Sequence, residues 1–329
     1  MSVAVLAPAR RGSTPTLDIA LDAVTANVRT IASRTTGEIM AVVKADGFGH
    51  GACDVARAAL AGGATRLGTT TIEDAAALRA GGLPRVRVLS WLNPVDADFA
   101  TAVAHGVELA VPSFDHLHAL CAVAPGARVH LHLDTGMARD GAAPGEWAAL
   151  CRAARVAETR GRVQVVGVMG HLAIPELPDS CASRLGRARF AWGVRVARAA
   201  GLRPADRHLA STAATLADPL SHHTMSRVGA GLVGIDPSGT TRLRPALTLT
   251  VPLVTVRGAR RNRCRLRTHV DRSAPYAARP GPARVRRRTP AAGLEPGRGA
   301  GPRTSQSLGR PDLHGHGRGR PWRPAGGRR

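Results

Sequence analysis

The sequence predicts an α/β chain of the (β/α)8 or TIM-barrel class through about residue 243, followed by a segment with too little apolar surface to fold. Three observations carry this. Strand-length apolar runs alternate with Ala-rich stretches of helical length, residues suited to chemistry recur where those runs end, and the composition changes abruptly after Arg257.

In order, apolar runs over 39–44, 66–71, 86–91, 108–112 and 128–134 precede helical stretches over 53–62, 73–80, 95–104, 114–122 and 146–158. Further strands fit 163–170, 207–210 and the segment near 230–235. Periodicity alone does not separate a closed barrel from an open doubly wound sheet. Position does more, because a barrel gathers its chemistry at the C-terminal ends of its strands. Lys44, Asp134, His171, Ser211 and Arg227 all fall at or just after such an end, or in the loop leading to the next strand.

The organisation that follows is a flexible N-terminus over 1–13, a barrel over 14–243, and a strand within 244–257 leading toward a second domain. Residues 258–329 complete the chain and are expected to be disordered. They hold six Val, Leu, Ile, Phe or Met side chains against nine Pro and twelve Gly, too little to offset chain entropy.

This segment also carries 19 of the 46 basic residues and only Asp271, Glu295 and Asp312 in opposition. The basic excess therefore belongs mainly to it and does not describe a nucleic-acid surface on the barrel. As an arm it could hold phosphate non-specifically, but with Tyr276 and Trp322 its only aromatics it lacks a stacking platform. The five cysteines are widely spaced and form no CxxC pair, which points away from a disulfide framework or zinc site and toward a reducing cytoplasm. Val3–Ala7 is too short for a signal-peptide core, and no apolar run approaches the roughly 20 residues that span a bilayer.

Among 46 basic residues there is one lysine, Lys44. Arginine stays protonated, whereas a desolvated lysine amine can act as a nucleophile toward a carbonyl. Coding bias explains arginine elsewhere; it does not explain the exception at a strand end.

The segment Ala41-Val42-Val43-Lys44-Ala45-Asp46-Gly47-Phe48-Gly49-His50-Gly51 resembles the cofactor-lysine signature of the alanine racemases. The resemblance continues in order through Leu133–Arg139, Gly167–Ala173, His208–Thr212 and Ser226–Gly234, and covers roughly residues 14–257.

It implies pyridoxal 5'-phosphate as cofactor, with Lys44 as its anchor and as one acid/base group of the reaction. It further implies Arg139 at the cofactor's phenolic oxygen and the substrate carboxylate, and His171 beside the pyridine ring. Arg227 would face the ring nitrogen and keep it unprotonated. Ser211 and Thr212, with the backbone of Gly229 and Ala230, would lie on the phosphate side. The implied substrate is alanine, interconverted between its L and D forms for cell-wall peptidoglycan. No metal is implied.

Departures from the family pattern are Phe48 and Val233 where it commonly has tyrosine, and His132 where it often has a carbamylated lysine bonded to the arginine matched by Arg139. A histidine there could still orient that arginine. In the family a tyrosine from the partner subunit's C-terminal domain serves the second face of the substrate, and residues 1–257 contain no tyrosine. Impaired activity is the expectation, and formation of the family's homodimer is left open. Read one base out of frame, the codons of Arg279–Ala291 and Arg310–Gly315 can spell peptides resembling that missing domain, so the tail is expected to be out of frame. A second reading stays open beside the racemase, a single-domain pyridoxal-phosphate-binding protein of cofactor homeostasis.

Overall fold

The computed structural model describes residues 14–252. The expectations for 1–13 and 258–329, including Tyr276 and the altered frame, lie outside the described residues.

Eight parallel strands form a nearly closed barrel. They are β2 (Glu38–Val42), β3 (Arg66–Thr69), β4 (Arg87–Ser90), β5 (Val107–Val111), β6 (Ala127–His132), β7 (Val163–Met169), β8 (Asp206–His208) and β9 (Met225–Val228). β2 pairs with both β3 and β9, and the seam between β8 and β9 is crossed by Thr224 N–H to Arg207 O at 3.1 Å and Arg227 N–H to Ala210 O at 2.9 Å. Outside the barrel, β1 (Thr16–Ile19) pairs antiparallel with β10 (Leu247–Thr250).

Around the strands lie α1 (Leu21–Ala32), α3 (Ala52–Ala61), α4 (Ile72–Ala80), α5 (Phe99–Ala104), α6 (Phe114–Val123), α7 (Pro144–Thr159), α8 (Cys181–Ala199) and α9 (Thr212–Ala217), while α2 (Lys44–Gly49) is a single turn treated below. Their starts are written locally. Thr71, Asp98, Ser113 and Ser180 each accept a hydrogen bond from a backbone N–H in the first turn of the helix that follows, and Pro144 opens α7 where its missing N–H costs nothing.

The strands alternate with period two between two environments. Ile39, Ala41 and Val43 pack outward under the helices, whereas Met40 and Val42 face inward with Leu89, Trp91, Ala110, Met169 and Met225. Gly68 is what admits the Trp91 ring, since a Cβ there would lie 2.8 Å from it.

The interior is also polar. At the N-terminal end Asp206 Oδ2 accepts from Arg66 at 2.6 Å and Arg87 at 2.9 Å, and Glu108 Oε1 accepts from Arg87 at 2.8 Å and Arg128 at 3.0 Å.

Two expectations are corrected. The apolar run near 230–235 is not the last strand; Ala230–Val233 is a 3-10 turn, and the strand ends at Val228 because Gly229 (φ −118°, ψ −75°) turns the chain. A short buried apolar run satisfies either structure, so periodicity does not decide it. The helix expected over 95–104 begins at Phe99, where Asp98 caps it, because Ala97 N–H already closes a turn on Pro94 O.

Candidate functional site

A cavity of about 820 Å3, counted to its open mouth, lies at the C-terminal end of the barrel. Lys44, Arg139, His171, Ser211, Thr212, Arg227, Gly229 and Ala230 all line it. Every site residue expected from the sequence is therefore brought to one place.

Lys44 follows β2 and opens α2, whose turn is left-handed: Ala45, Asp46, Gly47 and Phe48 have φ between 51° and 61°. Three of these are not glycine, and each costs roughly 1–2 kcal/mol in that hand. The turn is held from outside itself. Asp46 accepts from the backbone of His50, Gly51 and Ala52, the last through its carboxylate at 2.8 Å. Phe48 packs on Gly229, where a Cβ would stand 3.0 Å from its ring. Strain of this kind persists only where surrounding contacts over-determine it, and it is found at functional sites.

Arg139 comes from a loop shaped by Asp134, whose Oδ1 accepts from Gly136 N–H at 2.8 Å and Ala138 N–H at 3.1 Å. Among the described residues no hydrogen bond engages the Arg139 guanidinium, so its charge is available at the cavity. His132, which could have oriented it, does not bond to it: His132 Nδ1 pairs with Asp140 Oδ2 at 3.1 Å.

Arg227 is buried, and both of its terminal nitrogens are engaged. Its Nη1 donates to His208 Nδ1 and to His208 O, both at 2.9 Å, and its Nη2 donates to Gly170 O at 2.6 Å and His171 Nδ1 at 3.1 Å. An arginine can only donate, so both imidazoles must offer a lone pair. Burial followed by the neighbouring Arg227 charge lowers His171 to about 3, and the same causes, in the same order, place His208 well below the usual histidine range. Arg227 itself falls to about 10, through burial and then Arg139, and stays charged at neutral pH.

Also lining the cavity, Thr212 Oγ1 accepts from Gly229 N–H and Gly231 N–H, each at 3.2 Å. The Gly229 N–H is thereby occupied. The Ala230 N–H finds no acceptor among the described residues and remains open to a ligand.

These groups set a pH dependence. His171 and His208 are depressed in the fold, so stability present above the unfolded histidine value of about 6.5 declines as pH falls toward their folded values. Burial opposes ionisation of Glu108, but the His130 hydrogen bond and the Arg87 and Arg128 guanidiniums override it and bring its carboxyl from 4.5 to about 2. That contributes about 3 kcal/mol above pH 4.5, lost between there and pH 2. Urea midpoints should therefore decrease through the histidines from pH 7 to pH 4.5 and further, as Glu108 protonates, below it; a midpoint that holds from pH 7 to pH 4 contradicts the histidine assignment.

Barrel and cavity together define a (β/α)8 protein whose single lysine shares a site with a buried cation. The family model described as "Alanine racemase, N-terminal domain" matches residues 19–237, and the chain belongs to that family. Over 243 residues it is 43% identical to the alanine racemase of Frankia casuarinae, covering 70% of this chain and 63% of that protein. The alanine racemase of Thermobifida fusca is 39% identical, covering 72% of this chain and 65% of its own length. The crystal structure of the alanine racemase from Streptomyces lavendulae superposes with a TM-score of 0.70 at 37% identity, over 74% of this chain and 66% of that one. The chain thus spans somewhat less than two thirds of the curated relatives it matches.

Proposed function

We propose that this chain carries the pyridoxal-phosphate-binding half of an alanine racemase, acting on alanine to interconvert its enantiomers and so supply D-alanine for peptidoglycan. The observation that carries the reading is the convergence of Lys44 with the buried Arg227 in one cavity.

The donor set fits the cofactor. Lys44 offers the amine that would hold its aldehyde, the Ser211–Thr212 wall with the Ala230 N–H suits a phosphate, and Arg139 and Arg227 place positive charge beside the cavity. When bound, pyridoxal phosphate supplies a conjugated electron sink for the substrate's α-carbanion.

The chain's own residues do the rest. Lys44 Nζ takes or returns the α-proton on one face, and Arg139 receives the substrate carboxylate. Arg227, pinned by carbonyls and two lone-pair nitrogens, keeps a positive charge where the ring nitrogen would lie and opposes protonation there. Phe48 and Met169 line the same cavity and exclude water from part of it.

Inversion needs a second acid/base group on the far face. Residues 1–257 contain no tyrosine, so turnover is expected to be severely impaired. The test is to incubate the full chain with pyridoxal phosphate, record its visible absorbance, reduce with borohydride and map the label, then assay D-alanine formation. A label on Lys44 with slow racemisation is the expected result. No absorbance band and no label sinks the reading, and racemisation at ordinary enzyme rates sinks the impairment.

A further inference from the structure

We infer that Glu108, acting through His130 and His208, is a positioning group for the Arg227 guanidinium. The residues form one row of buried hydrogen bonds along the barrel interior: Arg227 Nη1 to His208 Nδ1 at 2.9 Å, His208 Nε2 to His130 Nδ1 at 2.9 Å, and His130 Nε2 to Glu108 Oε2 at 3.0 Å. His130 and His208 are wholly buried, so water cannot substitute for a missing partner.

The direction of every proton in the row is dictated from both ends. Arg227 has no lone pair, so His208 Nδ1 must accept and, in a neutral ring, its Nε2 must carry the hydrogen. That hydrogen points at His130 Nδ1, which must then accept, leaving the His130 hydrogen on Nε2. An ionised Glu108 can only accept and demands the same arrangement.

Glu108 is in turn fixed by Arg87 and Arg128 through its other oxygen. The row thus runs from a clamped carboxylate near the N-terminal end of the barrel to the cavity at its C-terminal end.

The consequence lies in the alternative tautomer. A hydrogen on His208 Nδ1 would set two donors against each other at 2.9 Å in a site without water, and the guanidinium would have to move. Selecting the accepting tautomer keeps the charge of Arg227 at a fixed place on the cavity wall. Sequence gives this purpose to Gly167, because a Cβ there would overlap the His130 ring.

The inference rests on the reading of Arg227 as a cofactor-facing group, and its test separates the two. Long-range 15N–1H correlation spectra of the histidine-labelled, cofactor-free full chain should show Nδ1 unprotonated and Nε2 protonated in both His130 and His208 at pH 8. In Glu108→Gln, whose amide can donate as well as accept, only the Arg227 end still directs the protons, so a population of the reversed tautomers should appear at both rings and pyridoxal phosphate binding should weaken about tenfold, the scale of groups one step removed from a ligand. Glu108→Asp should restore much of both. A hydrogen on Nδ1 of either ring in the parent overturns the inference, even if the variant fails to fold. So does a folded Glu108→Gln with unchanged tautomers and affinity. Should the parent show the stated tautomers but no affinity for pyridoxal phosphate, the functional reading fails and the role of Glu108 toward the cofactor falls with it.

Discussion

Lys44→Arg is expected to eliminate the borohydride-stable label entirely and to remove the visible absorbance band of the cofactor-loaded protein. The substitution keeps the positive charge and most of the length of the side chain, so electrostatics around the cavity change little. What disappears is an amine able to lose its proton and attack a carbonyl. Because Lys44 is the only lysine, loss of the label cannot be masked by a second side chain. Racemisation, whatever its level in the parent, should fall at least about a hundredfold, the lower range for removing a positioned acid/base group. Retention of the label on any internal peptide would refute the assignment of the amine.

Gly167→Ala is expected to produce the largest loss of stability from a single methyl group. A Cβ at this position would overlap the Nδ1, Cε1 and Cγ atoms of His130, on the neighbouring strand. The ring cannot step aside cheaply. It is tied to His208 on one side and Glu108 on the other, both buried, so displacement adds broken hydrogen bonds to the steric cost. Overpacking alone costs about 1–3 kcal/mol, and one unmade buried hydrogen bond a similar amount, which together come to about 4 kcal/mol. Urea unfolding at pH 7 measures it. A change below about 1 kcal/mol would mean that the ring has room the packing does not show.

Much of the barrel was legible because strands buried on both faces read as short, nearly continuous apolar runs, here separated by Ala-rich stretches of helical length. Seven of its eight strands lie within a residue or two of the runs expected for them, and Lys44, Asp134, His171 and Ser211 fall just beyond strand ends as a barrel requires. Arg227 stands inside β9 instead, because the Gly229 turn comes earlier than the apolar run through Leu232 and Val233 implied. Helix α8 carries little apolar signal: Ser183, Gly186 and Gly193 stand on its buried face, where only Phe190, Val194 and Ala197 keep apolar side chains at helical spacing.

That the site residues gather at one end of the barrel was readable from motifs; the hydrogen bonds among them were not. That His132 pairs with Asp140 and not Arg139 depends on where the 134–140 loop folds back, set by Asp134. The interior row from Arg227 to Glu108 joins residues as far apart as 78 and 119 positions. Their only local trace is polar side chains at inward positions of β5, β6 and β8, where an apolar barrel would have none.

The reversed hand of the turn after Lys44 inverts the usual rules for glycine. In an ordinary helix, exchanging alanine for glycine loosens the chain by roughly 0.5–1 kcal/mol. At Ala45 (φ 51°) the same exchange relieves a steric penalty, so glycine should be tolerated or even favoured, while a β-branched residue should be excluded. A library randomised across 45–48 would accordingly enrich for small, permissive residues at the very positions where a helix-propensity scale scores them worst.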